Sequence, residues 1–144
     1  MILLAAAEAA TIAAHAEAAF PGEGCGLLAG TGTATLRVTR VVPAANLCAG
    51  QRDDRFEIDP AARFALARAL RGTPERLIGH WHSHPNGRAA PSPTDLARAW
   101  EPELVWLIVP VAADDDGRPR AGTPRAFRLD GGRGVITPVT LRLT

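Results

Sequence analysis

The segment from Leu104 to Val111 is an almost unbroken apolar run, and a run of that length fits a strand buried at the centre of a sheet. The rest of the chain alternates around it. Ile2 to Ala5 reads as a short strand. Ala7 to Ala19 reads as an Ala-rich helix, with Glu8, His15 and Glu17 free to share a solvated face. Gly26 to Ala29 and Ala34 to Val42 read as strands, the second rich in the β-branched residues that strands favour. Asp59-Pro60 starts a helix running to about Leu70, with Phe64, Leu66 and Leu70 as its apolar positions and Arg71-Gly72 as its stop. Leu77 to His84 is a further strand, and Ser92 caps a short helix through about Trp100. Arg125 to Leu129 and Val135 to Leu143 are closing strands around an Asp130-Gly131-Gly132 turn. Between them, residues 46–54 form a polar loop, and residues 113–123, rich in Asp, Gly and Pro, form a mobile turn. This order predicts a mixed sheet with helices packed on it. The pattern supports α/β or α+β without choosing between them. With 144 residues and no repeat or linker, the chain is expected to be one domain over residues 1–144.

Chemistry concentrates in His82-Ser83-His84-Pro85, followed by Ser92 and Asp95. In an extended strand, residues i and i+2 share a face, so His82 and His84 project side by side while Ser83 points the other way. Pro85 ends the strand and releases a loop that returns Asp95 towards the histidines. Two imidazoles, one carboxylate and an open fourth position form a usual catalytic zinc site. Ser92 and Asp95 also suit a helix start, with Ser92 as N-cap, Pro93 at the first helical position and Asp95 near the N3 amide. The two readings are compatible, because a capping carboxylate can still coordinate a metal. His80 shares the histidine face and reads as packed, with support of the ligands as the alternative. Trp81 alternates away from that face and Trp106 lies in the apolar run, so both read as core.

Upstream, Pro21, Glu23, Gly26, Leu27 and Leu28 form a Pro-x-Glu-x-x-Gly-Leu-Leu segment. Together with His-Ser-His-Pro, six residues, Ser, two residues and Asp, this spacing resembles the JAMM (MPN-plus) metalloprotease family, in its compact prokaryotic form. The likeness extends loosely through Arg55 to Pro60 and Leu77 to His80. The resemblance implies an α/β fold, a curved mixed sheet flanked by helices and related to the cytidine deaminase architecture. It implies one zinc ion held by His82, His84 and Asp95, whose bound water is the nucleophile. It also implies Glu23 as the general base that relays a proton to the leaving amine, and Ser92 as the oxyanion donor. The implied activity is hydrolysis of a peptide or isopeptide bond, after the Gly-Gly tail of a ubiquitin-like sulfur-carrier protein. Residues 46–54 are then the expected substrate-contacting loop. Small amino-acid conjugates or cell-wall peptides are the competing substrates, and a non-catalytic scaffold is the alternative outside enzymes. Scaffolds of this kind usually lose ligands, whereas all five residues are present here. A zinc nucleobase deaminase would need His-x-Glu with Pro-Cys-x-x-Cys, and the chain has neither.

Charge and cysteine content narrow the remaining classes. A formal charge of +1 and no basic patch interleaved with aromatics argue against nucleic acid. The apolar N-terminal stretch lacks a basic leader and is interrupted by Glu8, His15 and Glu17, so neither a signal peptide nor a membrane span is expected. Cys25 and Cys48 show no Cys-x-x-Cys spacing. They are expected as reduced thiols in a cytoplasmic protein, with Cys25 buried. Oligomeric state is left open, a homodimer included.

Overall fold

The computed structural model describes residues 1–144. Its elements are β1 (Ile2–Leu4), α1 (Ala6–Ala19), β2 (Cys25–Gly32), β3 (Leu36–Ala44), α2 (Pro60–Leu70), β4 (Arg76–His84), α3 (Pro93–Ala97), β5 (Val105–Ala113), β6 (Pro119–Ala121), β7 (Arg125–Asp130), β8 (Val135–Val139) and β9 (Leu141–Leu143). The strands form a 9-stranded sheet in the order β8-β7-β5-β4-β2-β3-β1-β9, with β6 paired to β5 off this path. β4 and β5 run parallel, whereas β2 is antiparallel to both β3 and β4, so the sheet is mixed as expected. β8 and β9 lie at opposite ends of the order, yet Thr140 alone separates them in the chain. The sheet must therefore curl until its ends approach, which makes it nearly a barrel.

The apolar run is β5, seated between β4 and β7, with Val105 to Val109 and Val111 buried. Alternation gives the sheet two different faces. One is closed by α1: Ile12 and Ala16 pack with Ile2, Leu4, Leu28, Trp81, Val105, Leu107 and Val109 in a cluster of 14 buried residues. Each large side chain fully buried there contributes roughly 1.5–3 kcal/mol. Gly26 sits opposite Trp81 in register, and a Cβ on it would run into the indole and the Val42 carbonyl. The second face carries two smaller clusters, Leu27 and Ala29 under Leu66 and Leu70 of α2, and Ala99 with Trp106, Ile108, Phe127 and Leu129. This face also receives His82 and His84. The larger cluster under α1 carries more of the stability, so the second face can hold buried polar groups.

The structure departs from the sequence reading at four places. Phe64 is 71% exposed, because it lies on the face of α2 opposite Leu66 and Leu70. The helix capped by Ser92 stops at Ala97, and Trp100 is left outside it and exposed. Residues 113–123 contain an ordered hairpin in which β6 pairs with β5. The Asp114 carboxylate accepts from the amides of Asp116 and Arg118 at 2.9 Å each, and Glu17 of α1 accepts from the Ala121 amide at 2.8 Å. Glu17 is thus a tether and not simply a solvated residue. Finally, residues 135–143 are two strands, because the chain leaves β7 at Thr140 and crosses to β1.

Candidate active site

Three parts of the chain converge on one buried point. Glu23 comes from the loop between α1 and β2, His82 and His84 from the end of β4, and Asp95 from α3. Their donor atoms all lie within 4.8 Å of one another, and all four residues are buried. His82 Nε2 is 3.0 Å from His84 Nε2 and 3.2 Å from Asp95 Oδ2, and His84 Nε2 is 3.0 Å from the same oxygen. Glu23 Oε1 stands 4.0 Å from His82 Nε2.

Local sequence explains each placement. After Pro85, Asn86 accepts the Arg88 amide through Oδ1 at 2.9 Å, and Gly87 takes a positive φ of 76°. The resulting turn brings the Arg88 carbonyl to 3.1 Å from His84 Nδ1. An Nδ1–H donating to that carbonyl leaves the Nε2 lone pair facing the cluster, the orientation that metal-binding imidazoles need. Asp95 is fixed by a capping box: its amide donates to Ser92 Oγ at 3.0 Å, and the Ser92 amide donates to Asp95 Oδ2 at 2.9 Å. Cap and candidate ligand are therefore one residue, as the sequence allowed. Ser92 Oγ accepts within the box, so its hydroxyl proton stays available to another acceptor.

Burial and the pairing of Asp95 with the two histidines set the electrostatics of the cluster. Burial opposes ionisation of Asp95, but hydrogen bonds from His82 and His84 outweigh it and hold the carboxyl well below its ordinary range. Burial keeps the His82 imidazole below its usual value, despite the Asp95 hydrogen bond. For His84, burial works downward, and the Asp95 bond and charge more than reverse it. Burial, helped by the Asp95 charge, pushes Glu23 up to about 8. Glu23 Oε1 and His82 Nδ1 have no hydrogen-bond partner. Two imidazole nitrogens and one carboxylate oxygen on a triangle of 3.0 to 3.2 Å match a tetrahedral zinc site, whose donors about 2.0–2.1 Å from the ion lie roughly 3.3 Å apart. The donor set thus fits a metal ion.

Around the cluster, a cleft of about 250 Å³ is lined by Glu23, Asp53, Asp54, His84, Ser92 and Thr94 among others, with no hydrophobic residue. Phe56 stacks on the His82 ring at 4.3 Å between centroids, and Trp106 meets His82 edge-on at 5.6 Å. Trp81 is core, as expected. Trp106 is also buried, but on the site face, where it supports the histidines. His80 packs edge-on against Trp106 at 4.3 Å and makes no hydrogen bond to the ligands. Burial holds it near 3 and hence neutral. Sequence reasoning missed Phe56 and the Arg88 carbonyl. The first carried no periodic signal in its irregular segment, and the second is a backbone group that any residue could supply. Cys25 and Cys48 are free, and Cys25 is buried.

Fold and site together define a protein of the JAB1/MPN class. The model for prokaryotic homologs of the JAB domain matches residues 5–130, and the chain belongs to that family. It is 37% identical to a desampylase from Haloferax volcanii over 98 residues, 68% of this chain and 66% of the relative. It is 34% identical to a probable TtuB-protein conjugate cleaving protease from Thermus thermophilus, covering 88% of this chain and 74% of that one. With a CysO-cysteine peptidase from Mycobacterium tuberculosis it shares 29% identity over 89% of this chain and 82% of the relative. A solution structure of a Desulfitobacterium hafniense protein superimposes with a TM-score of 0.80 at 30% identity, covering 100% of this chain and 93% of the other. A JAB1/MPN domain protein from Archaeoglobus fulgidus shares the fold, with a TM-score of 0.55 at 18% identity over 100% and 99% of the two chains.

Proposed function

We propose that the chain is a zinc-dependent peptidase or isopeptidase that cleaves after the Gly-Gly tail of a ubiquitin-like sulfur-carrier protein. The observation that carries this reading is the buried meeting of Glu23, His82, His84 and Asp95 within 4.8 Å. His82, His84 and Asp95 hold the zinc; two imidazoles and a carboxylate suit that ion. When bound, the ion lowers the pKa of a coordinated water to about 7. Glu23 is the one member of the cluster whose side chain makes no hydrogen bond, so its carboxylate is free to take a proton from water and return it to the leaving nitrogen. Ser92, on the same cleft, donates its hydroxyl proton to the oxyanion formed at the scissile carbonyl.

The substrate class is supported by relatives named for cleaving CysO-cysteine and a TtuB-protein conjugate. The loop of residues 46–54 contributes Asp53 and Asp54 to the cleft and would contact the tail. Two free cysteines fit a reducing, cytoplasmic setting, and no helix is long and apolar enough to cross a membrane.

Intact-mass analysis of a sulfur carrier extended beyond Gly-Gly tests the reading. Cleavage after Gly-Gly by the wild type, lost with a chelator and in Glu23→Ala, is expected. An intact substrate in the presence of zinc-loaded wild type would overturn the carrier assignment.

A further inference from the structure

A base that makes no hydrogen bond through its reactive oxygen must be aimed by something other than that oxygen. The structure points to the peptide unit that follows Glu23. Its carbonyl, that of Glu23, accepts from Asn46 Nδ2 at 2.8 Å. Its amide, that of Gly24, donates to Ser83 Oγ at 2.8 Å. Both edges of one peptide plane are thus held by side chains, from two different segments. Ser83 is 1% exposed and lies between the two histidines, on the opposite face of β4. Its amide also donates to the Gly24 carbonyl at 2.9 Å, which ties the Glu23 loop directly to the ligand strand. Asn46 in turn is held by three further contacts: Oδ1 accepts from the amides of Cys48 at 2.9 Å and Glu57 at 3.0 Å, and Nδ2 also reaches the Arg55 carbonyl at 3.4 Å. Behind the loop there is little slack, since a Cβ on Gly24 would lie 3.2 Å from Ala19 Cβ and 3.3 Å from the His15 carbonyl.

We propose that Asn46 and Ser83 are positioning residues that clamp the 23–24 peptide and thereby aim the Glu23 carboxylate at the metal site. The inference rests on Glu23 being the base. Rotation of a clamped peptide plane swings the Cα–Cβ direction of Glu23, and small misplacements of a catalytic group are costly in rate. The same clamp ties the base to the 46–54 loop, because Asn46 begins that loop. Asn46→Asp keeps the size and both acceptor bonds but removes the donor to Glu23. Ser83→Ala removes the acceptor for Gly24, and Ser83→Thr restores it with a residue that strands favour.

The test compares zinc-loaded wild type, Asn46→Asp, Ser83→Ala and Ser83→Thr, alone and combined with Glu23→Ala. Two independent readouts are used: steady-state cleavage of the extended carrier, and hydrogen exchange of the Gly24 amide followed by NMR. Ser83→Ala is expected to exchange at Gly24 at least tenfold faster than wild type while ladder amides within β2 keep their protection. Ser83→Thr is expected to match wild type. Ser83→Ala and Asn46→Asp should each lower kcat about tenfold or more, with KM and zinc content unchanged. Neither should slow the residual rate of Glu23→Ala, because both act through Glu23. Unchanged Gly24 exchange in Ser83→Ala, or full turnover in both single variants beside an inactive Glu23→Ala, would overturn the clamp. If wild type cleaves no carrier, the substrate reading falls, and the exchange rates alone decide whether the clamp exists.

Discussion

Glu23 and His84 lie in one cluster, yet their removal should have different consequences. If Glu23 is the proposed base and not a ligand, Glu23→Ala should leave zinc stoichiometric while turnover falls by about 10²–10⁴, the usual worth of a general base. On the proposed assignment His84→Ala deletes a ligand and should lose both zinc and activity. Elemental analysis beside kinetics checks the pair, and zinc loss in Glu23→Ala would make Glu23 a ligand. A pH effect follows from the same residue. Burial raises the folded Glu23 carboxyl from 4.5 to about 8. Between those values the folded state of metal-stripped protein keeps a proton that the unfolded chain has released. Its contribution to stability is thus intact below pH 4.5 and is lost as pH rises through 8. Metal-stripped Glu23→Gln should therefore be more stable than wild type at pH 8, by on the order of 1–3 kcal/mol, and the gap should close below pH 4.5. Urea denaturation at the two pH values measures it; a gap independent of pH would refute the burial argument.

At the scale of elements, α3 shows why two readings of Ser92 could both be right. A five-residue helix cannot sustain itself by propensity, so it depends on its capping box and on the ends of β4 and β5 that bracket it. The box uses Ser92 Oγ as an acceptor and leaves its hydroxyl proton free for another acceptor, the proposed role being donation to the oxyanion. Ser92→Ala should lose both roles, about 1 kcal/mol of stability and about 10²–10³ in kcat. Ser92→Gly, which is nearly as good a cap, should recover most of the stability and none of the rate. Thermal melts and kcat for the two variants separate the contributions. The strands and helices that bear the site were legible because their signals are local: His-x-His alternation, Pro85 as a stop, Ser92-Pro93 as a start. The ends of the chain were less legible. Val135 to Leu143 has the composition of one strand, and nothing local says that Thr140 passes the chain from one end of the sheet to the other. The ordered hairpin at residues 113–123 was hidden for a similar reason. Asp, Gly and Pro mark a turn, but its order comes from Asp114 and from Glu17, which is distant in sequence.

Taken as a whole, the molecule separates stability from chemistry by face. The α1 side of the sheet is closed and apolar, with Trp81 lying over Gly26, whereas the other side gathers two carboxylates and two imidazoles out of water. Without a cation, Glu23 and His82 oppose folding, because burial shifts the proton affinity of both and leaves Glu23 Oε1 and His82 Nδ1 without a partner. With one, the end of β4 and α3 are joined through a single centre that lies beside the α1–β2 loop. Binding restricted to the folded state stabilises it by RT ln(1 + [L]/Kd), about 4 kcal/mol at a thousandfold excess over Kd. For a chain of this size, that corresponds to a rise in Tm of about 10 °C. Calorimetry of metal-stripped protein with and without zinc should show this rise. His84→Ala should melt at one temperature regardless of zinc, because the centre that couples β4 to α3 is gone. A zinc-independent Tm in wild type would mean that the donors are held in place by packing alone. Their convergence would then be structural, and the hydrolase reading would lose its physical basis.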